Sequence, residues 1–288
     1  MKIINTHAHL IEIEKALAGD GRKYLKFLKD IPTFGAVEQV AAMLSVDNLI
    51  RQMDDAGVGH TVLFAMYGPI LYSSNEFVAG ICRQYPGRFT GFASVDIKNP
   101  DAPVILEEAV GKLGLKGLKL HPPLQDFFPN DKALWPIYKK ACDLNIPVVF
   151  HIGTTPFGNL VKLSQAYPIL LDEVANDFPD LTIILTHLGT LWHNEAFMVA
   201  EKHPNVFIDT AAYPYEIRDL LSEKLIRRVG ENKFIFGTDF PMPYEGKLHC
   251  IKDFVECIND LPVSSELKER IFHINFEVLM NSASYDVQ

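Results

Sequence analysis

Asn5-Thr6-His7-Ala8-His9-Leu10 opens the chain after the short apolar lead Met1-Lys2-Ile3-Ile4. Successive strand side chains point to opposite faces, so on an extended strand His7 and His9 project from the same side. Two imidazoles together at one end of a strand make half of a metal site. Alone, the pair also has a bland reading, a chance motif on a short strand, and its meaning depends on what ends the other strands.

Strand-like apolar runs recur along the whole chain, at roughly 2–9, 60–67, 89–96, 115–121, 147–152, 182–188, 206–211 and 234–239. Several, such as Val148-Val149-Phe150 and Ile183-Ile184-Leu185, are apolar on both faces, as strands of a helix-covered parallel sheet are. Amphipathic stretches such as 46–53 and 107–113 separate them. Eight βα units without an internal linker predict an α/β protein, a distorted (β/α)₈ TIM barrel formed by residues 1–288 as a single domain. Two additions depart from the bare barrel. Residues 11–45 form an insertion after strand one, Lys-rich over 22–29, and a candidate lid over the mouth. Residues 248–288 supply two or three C-terminal helices.

Composition narrows the partners. Hydrophobic residues at 48% and charged residues at 22% describe an ordinary globular chain with a substantial core. A net charge of −9, with no dense Lys/Arg cluster, argues against nucleic acid. No apolar run approaches the roughly 20 residues of a membrane span. The N-terminus lacks a charged and apolar leader, and Cys82, Cys142, Cys250 and Cys257 are scattered as free thiols would be. A cytoplasmic protein is expected.

In a (β/α)₈ barrel, chemistry gathers at the C-terminal ends of the strands. His7 and His9 end strand one, His151 strand five, His187 strand six and Asp239 strand eight. Singly, each has a structural explanation: a lone histidine is often a satisfied packing residue, and Asp239 can cap the turn at Phe240-Pro241. Together they are polar residues that barrel closure brings to one mouth. Imidazole and carboxylate suit Zn²⁺ or a similar divalent ion, with a position left for a water whose pKa falls to about 7. An extra histidine beside that water acts as a general base or polarises the substrate.

These segments, with Gly117-Leu118-Lys119-Leu120-His121-Pro122, Leu185-Thr186-His187-Leu188-Gly189, Phe236-Gly237-Thr238-Asp239-Phe240-Pro241 and Asn275-Phe276-Glu277-Val278-Leu279, resemble the amidohydrolase superfamily. The resemblance is to its aminocarboxymuconate-semialdehyde-decarboxylase-like branch, amidohydrolase family 2, and it spans essentially the whole chain. It implies one divalent metal ion held by His7, His9, His151 and Asp239, with His187 beside it and His187 and Asp239 as the catalytic groups. Lys119 and His121, two apart, share a face of strand four. In binuclear relatives a strand-four lysine is carboxylated and bridges two metals, which here would add a second ion. The favoured alternative pairs Lys119 with a substrate carboxylate. Lys119, His121 and Tyr67 are the expected substrate contacts. Asp96 and Tyr213 also stand near strand ends, with packing or capping as an equal explanation. His60 and His203 precede their strands, and His249 and His273 fall in the tail, so none of the four has a predicted role.

The branch includes non-oxidative decarboxylases of aromatic or dienoic acids, lactonases and hydratases. Its decarboxylases tend to carry an arginine near the mouth, whereas Arg51 lies on a helix and Arg88 precedes strand three. The leading expectation is therefore a Zn²⁺-dependent hydrolase of a small carboxylated ester, lactone or amide, acting through metal-activated water. The second is a non-oxidative decarboxylase on the same metal, and the third a non-catalytic metal-binding protein. Each takes a small anionic organic molecule as partner, without nucleic acid or membrane. A homodimer is the assembly relatives often form.

Overall fold

Eight parallel strands close on themselves in the computed structural model, which describes residues 1–12, 15, 44–69, 71–155, 157–244 and 247–282. They are β1 (Ile4–His9), β2 (His60–Phe64), β3 (Phe89–Phe92), β4 (Leu118–Leu120), β5 (Val148–Phe150), β6 (Ile183–Leu185), β7 (Val206–Asp209) and β8 (Phe234–Ile235). The ladder runs β1-β2-β3 in one arc and β4-β5-β6-β7-β8 in the other. Parallel bridges Ala93↔Leu118 and Ala8↔Phe240 join the arcs and complete the barrel. The candidate lid at 11–45 lies mostly outside the described residues.

The strands are shorter than their apolar runs because the chain leaves the ladder at the mouth to form the loops of the site. Alternation sorts their side chains. Leu118 and Leu120 of β4 pack outward against the helices, while Lys119 between them points inward over the Phe64 ring at 5.0 Å. The interior layer holds Ile4, Val62, Phe64, Phe92, Val149, Ile184 and Ile235. Phe276 and Leu279, from the C-terminal helix Asn275–Ser282, join this layer and close the end opposite the mouth. The large outer cluster fills the space between strands and helices, with Leu63, Val148, Phe150, Ile183, Leu185, Val206 and Ile208 among its members.

The helices between strands include α1 (Val46–Asp55), α2 (Asn75–Gln84), α3 (Ala102–Gly111), α4 (Trp135–Asp143), α5 (Leu170–Asp177), α6 (His193–Lys202), α7 (Pro214–Leu220) and α8 (Glu223–Val229). Ser45, Ser74 and Ser222 cap α1, α2 and α8, each accepting a backbone N–H of the first turn. The predicted C-terminal helices appear as Ile251–Asn259, Ser265–Glu269 and Asn275–Ser282, the last two linked by a π-helical turn. Among the described residues, no helix is long and apolar enough to cross a membrane. All four cysteines are free.

Candidate metal centre and active site

Ile4 faces the barrel interior, whereas Ile3 and Ala8 belong to the outer cluster. Unbroken alternation from Ile4 would send Thr6 and Ala8 inward and turn both histidines out. The β1–β2 register slips between Asn5 and Ala8, and that bulge reverses the phase. Asn5 Oδ1 accepts the His7 N–H at 3.3 Å within it. His7 and His9 consequently aim into the mouth.

Three donor atoms converge there. His7 Nε2 lies 3.0 Å from His9 Nε2 and 3.1 Å from Asp239 Oδ1, and His9 Nε2 lies 3.3 Å from the same oxygen. Ligands held about 2.1 Å from a tetrahedral ion stand roughly 3.4 Å apart, so the spacing suits a divalent metal. The other face of His7 is tied: its Nδ1 donates to Asp209 Oδ2 at 2.7 Å, which leaves the lone pair of the neutral ring on Nε2. A carboxylate behind a histidine in this way orients and strengthens a metal ligand. Asp209 is buried at the end of β7 and also accepts the His187 backbone N–H through Oδ1 at 2.7 Å. The approach of His7 to this strand end requires a glycine. A Cβ on Gly237 would sit 3.0 Å from that of His7 and 3.1 Å from that of Ala211.

His151 stands apart from this triad and pairs with His187, whose Nε2 faces His151 Nδ1 at 2.9 Å. His187 Nδ1 donates to Ala211 O at 2.8 Å, which fixes the tautomer and leaves Nε2 on the cavity side. His151 Nε2 is buried without a hydrogen-bond partner among the described residues, as are His9 Nδ1 and Lys119 Nζ. The His121 ring stacks on His151, 3.8 Å between centroids and 9° between planes. Its Nδ1 accepts the Leu124 N–H, so His121 also caps the one-turn helix Pro122–Gln125.

Burial and charge act together on these groups. Burial and the Lys119 ammonium pull His7 down, but the Asp209 and Asp239 carboxylates outweigh them and leave it above its ordinary value. Burial drives His9 down to about 4, and holds His121 and His151 well below the usual imidazole range. For Asp239 burial acts upward, yet His7 and His187 keep it well below the carboxylate norm. Burial lowers Lys119 to about 8, with Asp209 and Asp239 partly restoring it. Burial thus favours the neutral form of His9, His121 and His151, while the carboxylates favour the charged form of His7.

His9, Lys119, His121, His151, His187 and Asp239 line one cavity of about 160 Å³, with Met66, Leu71, Phe157 and Met242 on its apolar side. Tyr67 does not join them. It is 42% exposed and borders a second hollow with Asp96, because it follows Met66 on an extended ribbon and neighbours there face opposite ways. Met66 takes the inward place. Tyr213 does line the cavity. Arg88 pairs with Asp54 and Arg51 with Asn48 on the exposed surface, so Lys119 is the one Lys or Arg among the described cavity residues. His203 pairs with Asp172, and His60 with Gly87 O and Thr90, as structural residues would.

Two site residues escaped the sequence reading. Asp209 ends β7 as Asp239 follows β8, and the same search for polar strand ends would have found it. Thr155, whose buried hydroxyl lacks a partner among the described residues and which lines the cavity, carries no such signal.

Comparison with known proteins agrees with this architecture. A TIM-barrel protein of Bordetella bronchiseptica superposes with a TM-score of 0.77 at 23% identity, covering 99% of this chain and all of that one. A dihydroxybenzoic acid decarboxylase of Polaromonas sp. JS666, solved with bound manganese and the inhibitor 2-nitroresorcinol, gives 0.74 at 18% identity over 99% of both chains. In sequence, the chain is 22% identical over 254 residues to a gamma-resorcylate decarboxylase of Polaromonas sp. strain JS666, covering 68% of this chain and 76% of that protein. The amidohydrolase family model matches residues 4–275. The chain belongs to the amidohydrolase family.

Proposed function

We propose that this protein is a metal-dependent, non-oxidative decarboxylase of a small aromatic carboxylic acid. The observation that carries the reading is Lys119, a buried ammonium without a hydrogen-bond partner among the described residues, on the wall of a small cavity beside the His7–His9–Asp239 donor set. The lack of an arginine among the described cavity residues fits hydrolysis, but Lys119 supplies the cationic group that a carboxylate substrate needs. The gamma-resorcylate and dihydroxybenzoic acid decarboxylases among its relatives support the same order of the two readings.

His7, His9 and Asp239 would hold one divalent ion, with the unpartnered Nε2 of His151 as the further donor. Bound there, the ion supplies positive charge that fixes substrate oxygens and draws electron density from the ring. The manganese of the decarboxylase relative supports Mn²⁺ beside the Zn²⁺ expected from ligand type. Lys119 orients the substrate through its carboxylate, and His121 and Phe157 offer aromatic surface to a single ring. His187 carries the proton. In its doubly protonated form, with Nδ1–H held by Ala211 O, its Nε2–H delivers a proton to the ring carbon that bears the carboxylate. A C–H bond forms there, the C–C bond breaks, its electron pair stays with the ring and carbon dioxide leaves. Solvent then reprotonates Nε2.

The test is incubation of the Mn²⁺- and Zn²⁺-loaded protein with 2,6-dihydroxybenzoate and related hydroxybenzoates, beside a panel of carboxylated esters and lactones. Stoichiometric carbon dioxide with the decarboxylated phenol is expected. Turnover of an ester or lactone, with no carbon dioxide from any aromatic acid, returns the protein to the hydrolases.

A further inference from the structure

The loop that carries His187 is held in a conformation its own sequence does not favour. His187, Leu188 and Leu191 take φ values of 61°, 50° and 69°, and Gly189 takes 76°. Left-handed backbone is unfavourable for a non-glycine residue, and persists where surrounding contacts over-determine it. Some of those contacts come from Asp209 and Ala211, already described. Others converge on one carboxylate outside the metal centre.

Glu216 is 4% exposed, in the first turn of α7. Its Oε2 accepts the Tyr213 N–H at 3.3 Å, the ordinary contact of a capping box. A cap needs nothing more, yet the same oxygen accepts the Thr190 hydroxyl at 3.3 Å and Oε1 pairs with His193 Nε2 at 3.5 Å. The one Thr190 hydroxyl proton is shared, its shorter contact being to His187 O at 2.9 Å, while His193 Nδ1 donates to Leu188 O at 2.9 Å and His193 Nε2 accepts the Leu191 N–H at 3.3 Å. Burial alone would lower the His193 imidazole, but Glu216 and the Leu188 carbonyl hold it above its ordinary value. One carboxylate thus ties the loop after β6, which presents the His187 imidazole, to the loop after β7, which presents the Ala211 carbonyl that fixes its tautomer.

We infer that Glu216, with His193, is a positioning pair that clamps these two loops together and so holds His187 Nε2 toward the cavity. The inference rests on the reading of His187 as the proton carrier, but its geometry can be tested without turnover.

The experiment compares wild type with Glu216→Gln and His193→Gln in the metal-loaded protein, labelled with ¹⁵N-histidine. The His187 Nδ1–H resonance, assigned by its loss in His187→Gln, should exchange with solvent at least tenfold faster in both variants. Metal content should not change. With a hydroxybenzoate as substrate, kcat should fall about tenfold or more while KM stays within about twofold, as a misplaced catalytic group requires. A lowered melting temperature with unchanged Nδ1–H exchange and unchanged kcat would mean a plain helix cap, and would overturn the clamp. Faster exchange in variants of a protein that releases no carbon dioxide would uphold the clamp and sink the decarboxylase reading. Should Glu216→Gln fail to fold, His193→Gln decides, since it removes the imidazole and leaves the cap in place.

Discussion

Two lysines are buried among the described residues of this barrel, one at each end, and their surroundings differ. Lys233, 6% exposed just before β8, donates to His203 O at 2.7 Å, Pro204 O at 2.8 Å and Val206 O at 3.0 Å. Those carbonyls lie at and before the start of β7, and all three protons of the ammonium are used. Lys119, 1% exposed on β4, has no hydrogen-bond partner among the described residues. Each sits over an aromatic ring, Phe207 for Lys233 and Phe64 for Lys119, and burial pushes each down to about 8. A buried cation is tolerated when its donors are matched and is costly otherwise. Lys233 stabilises the closed end of the barrel. Lys119 leaves its charge unmatched, a feature common among groups at functional sites.

That contrast predicts that substitutions at the mouth erase activity and spare the fold, and that the other end does the reverse. The largest effect belongs to Asp239→Ala. Losing several kcal/mol of metal-derived transition-state stabilisation corresponds to a fall of about 10³-fold or more in kcat, with the ion gone by metal analysis. An Asp239→Ala protein that kept both metal and turnover would remove the mouth from the comparison altogether. Asp209→Asn, one layer back, should weaken metal affinity by about 10- to 100-fold, measured by competition with a chelator.

Next is Lys119→Met. A charge-assisted hydrogen bond contributes about 1.5–3 kcal/mol, so kcat/KM for a carboxylate substrate should fall about 10- to 100-fold. Urea unfolding should show equal or greater stability, because an apolar side chain replaces an unmatched buried charge. Lys233→Met inverts both results. It orphans the three carbonyls, and about 2–4 kcal/mol of stability should be lost with kcat unchanged in the folded fraction. Equal stability losses at the two positions would show that the two lysines play one role.

Much of this contrast could be read from the chain, because strand ends are where periodicity and chemistry meet. The runs ending in His7-Ala8-His9, His151, His187 and Asp239 locate the mouth, and Leu118-Lys119-Leu120 reads as an inward lysine between two outward leucines. Three features resisted. The bulge between Asn5 and Ala8 that turns His7 and His9 inward is a register slip against β2, and no local pattern marks it. The separation of His151 from the His7–His9–Asp239 triad is a matter of a few ångströms between loops, which strand spacing does not specify. Tyr67 fell on the wrong side because the chain after β2 continues as a ribbon in which Met66 holds the inward position. Asp209 was legible and passed over, a carboxylate ending an apolar strand like its neighbour on β8.

The smallest expected effect bears on both lysines, and it lies in the pH dependence of stability. A lysine held at about 8 in the folded chain and near 10.4 when unfolded makes the unfolded state bind more protons between those values. Stability therefore rises as pH climbs from about 8 towards 10.4, and the gain is absent below pH 8. For Lys119, with no acceptor to favour its ammonium, that slope should appear in urea titrations of metal-stripped protein, which keep the ion's own pH dependence out of the measurement. Lys119→Met should flatten it. Lys233→Met should flatten it by a similar amount, because burial holds that lysine at about 8 as well. The same titration of Lys119 should appear in catalysis as a loss of kcat/KM for the carboxylate substrate above about pH 8, where the ammonium that would hold it is no longer charged. A stability slope that survives Lys119→Met and vanishes in Lys233→Met would assign the unmatched charge to the closed end, and with it would go the argument that the mouth keeps Lys119 free for a substrate.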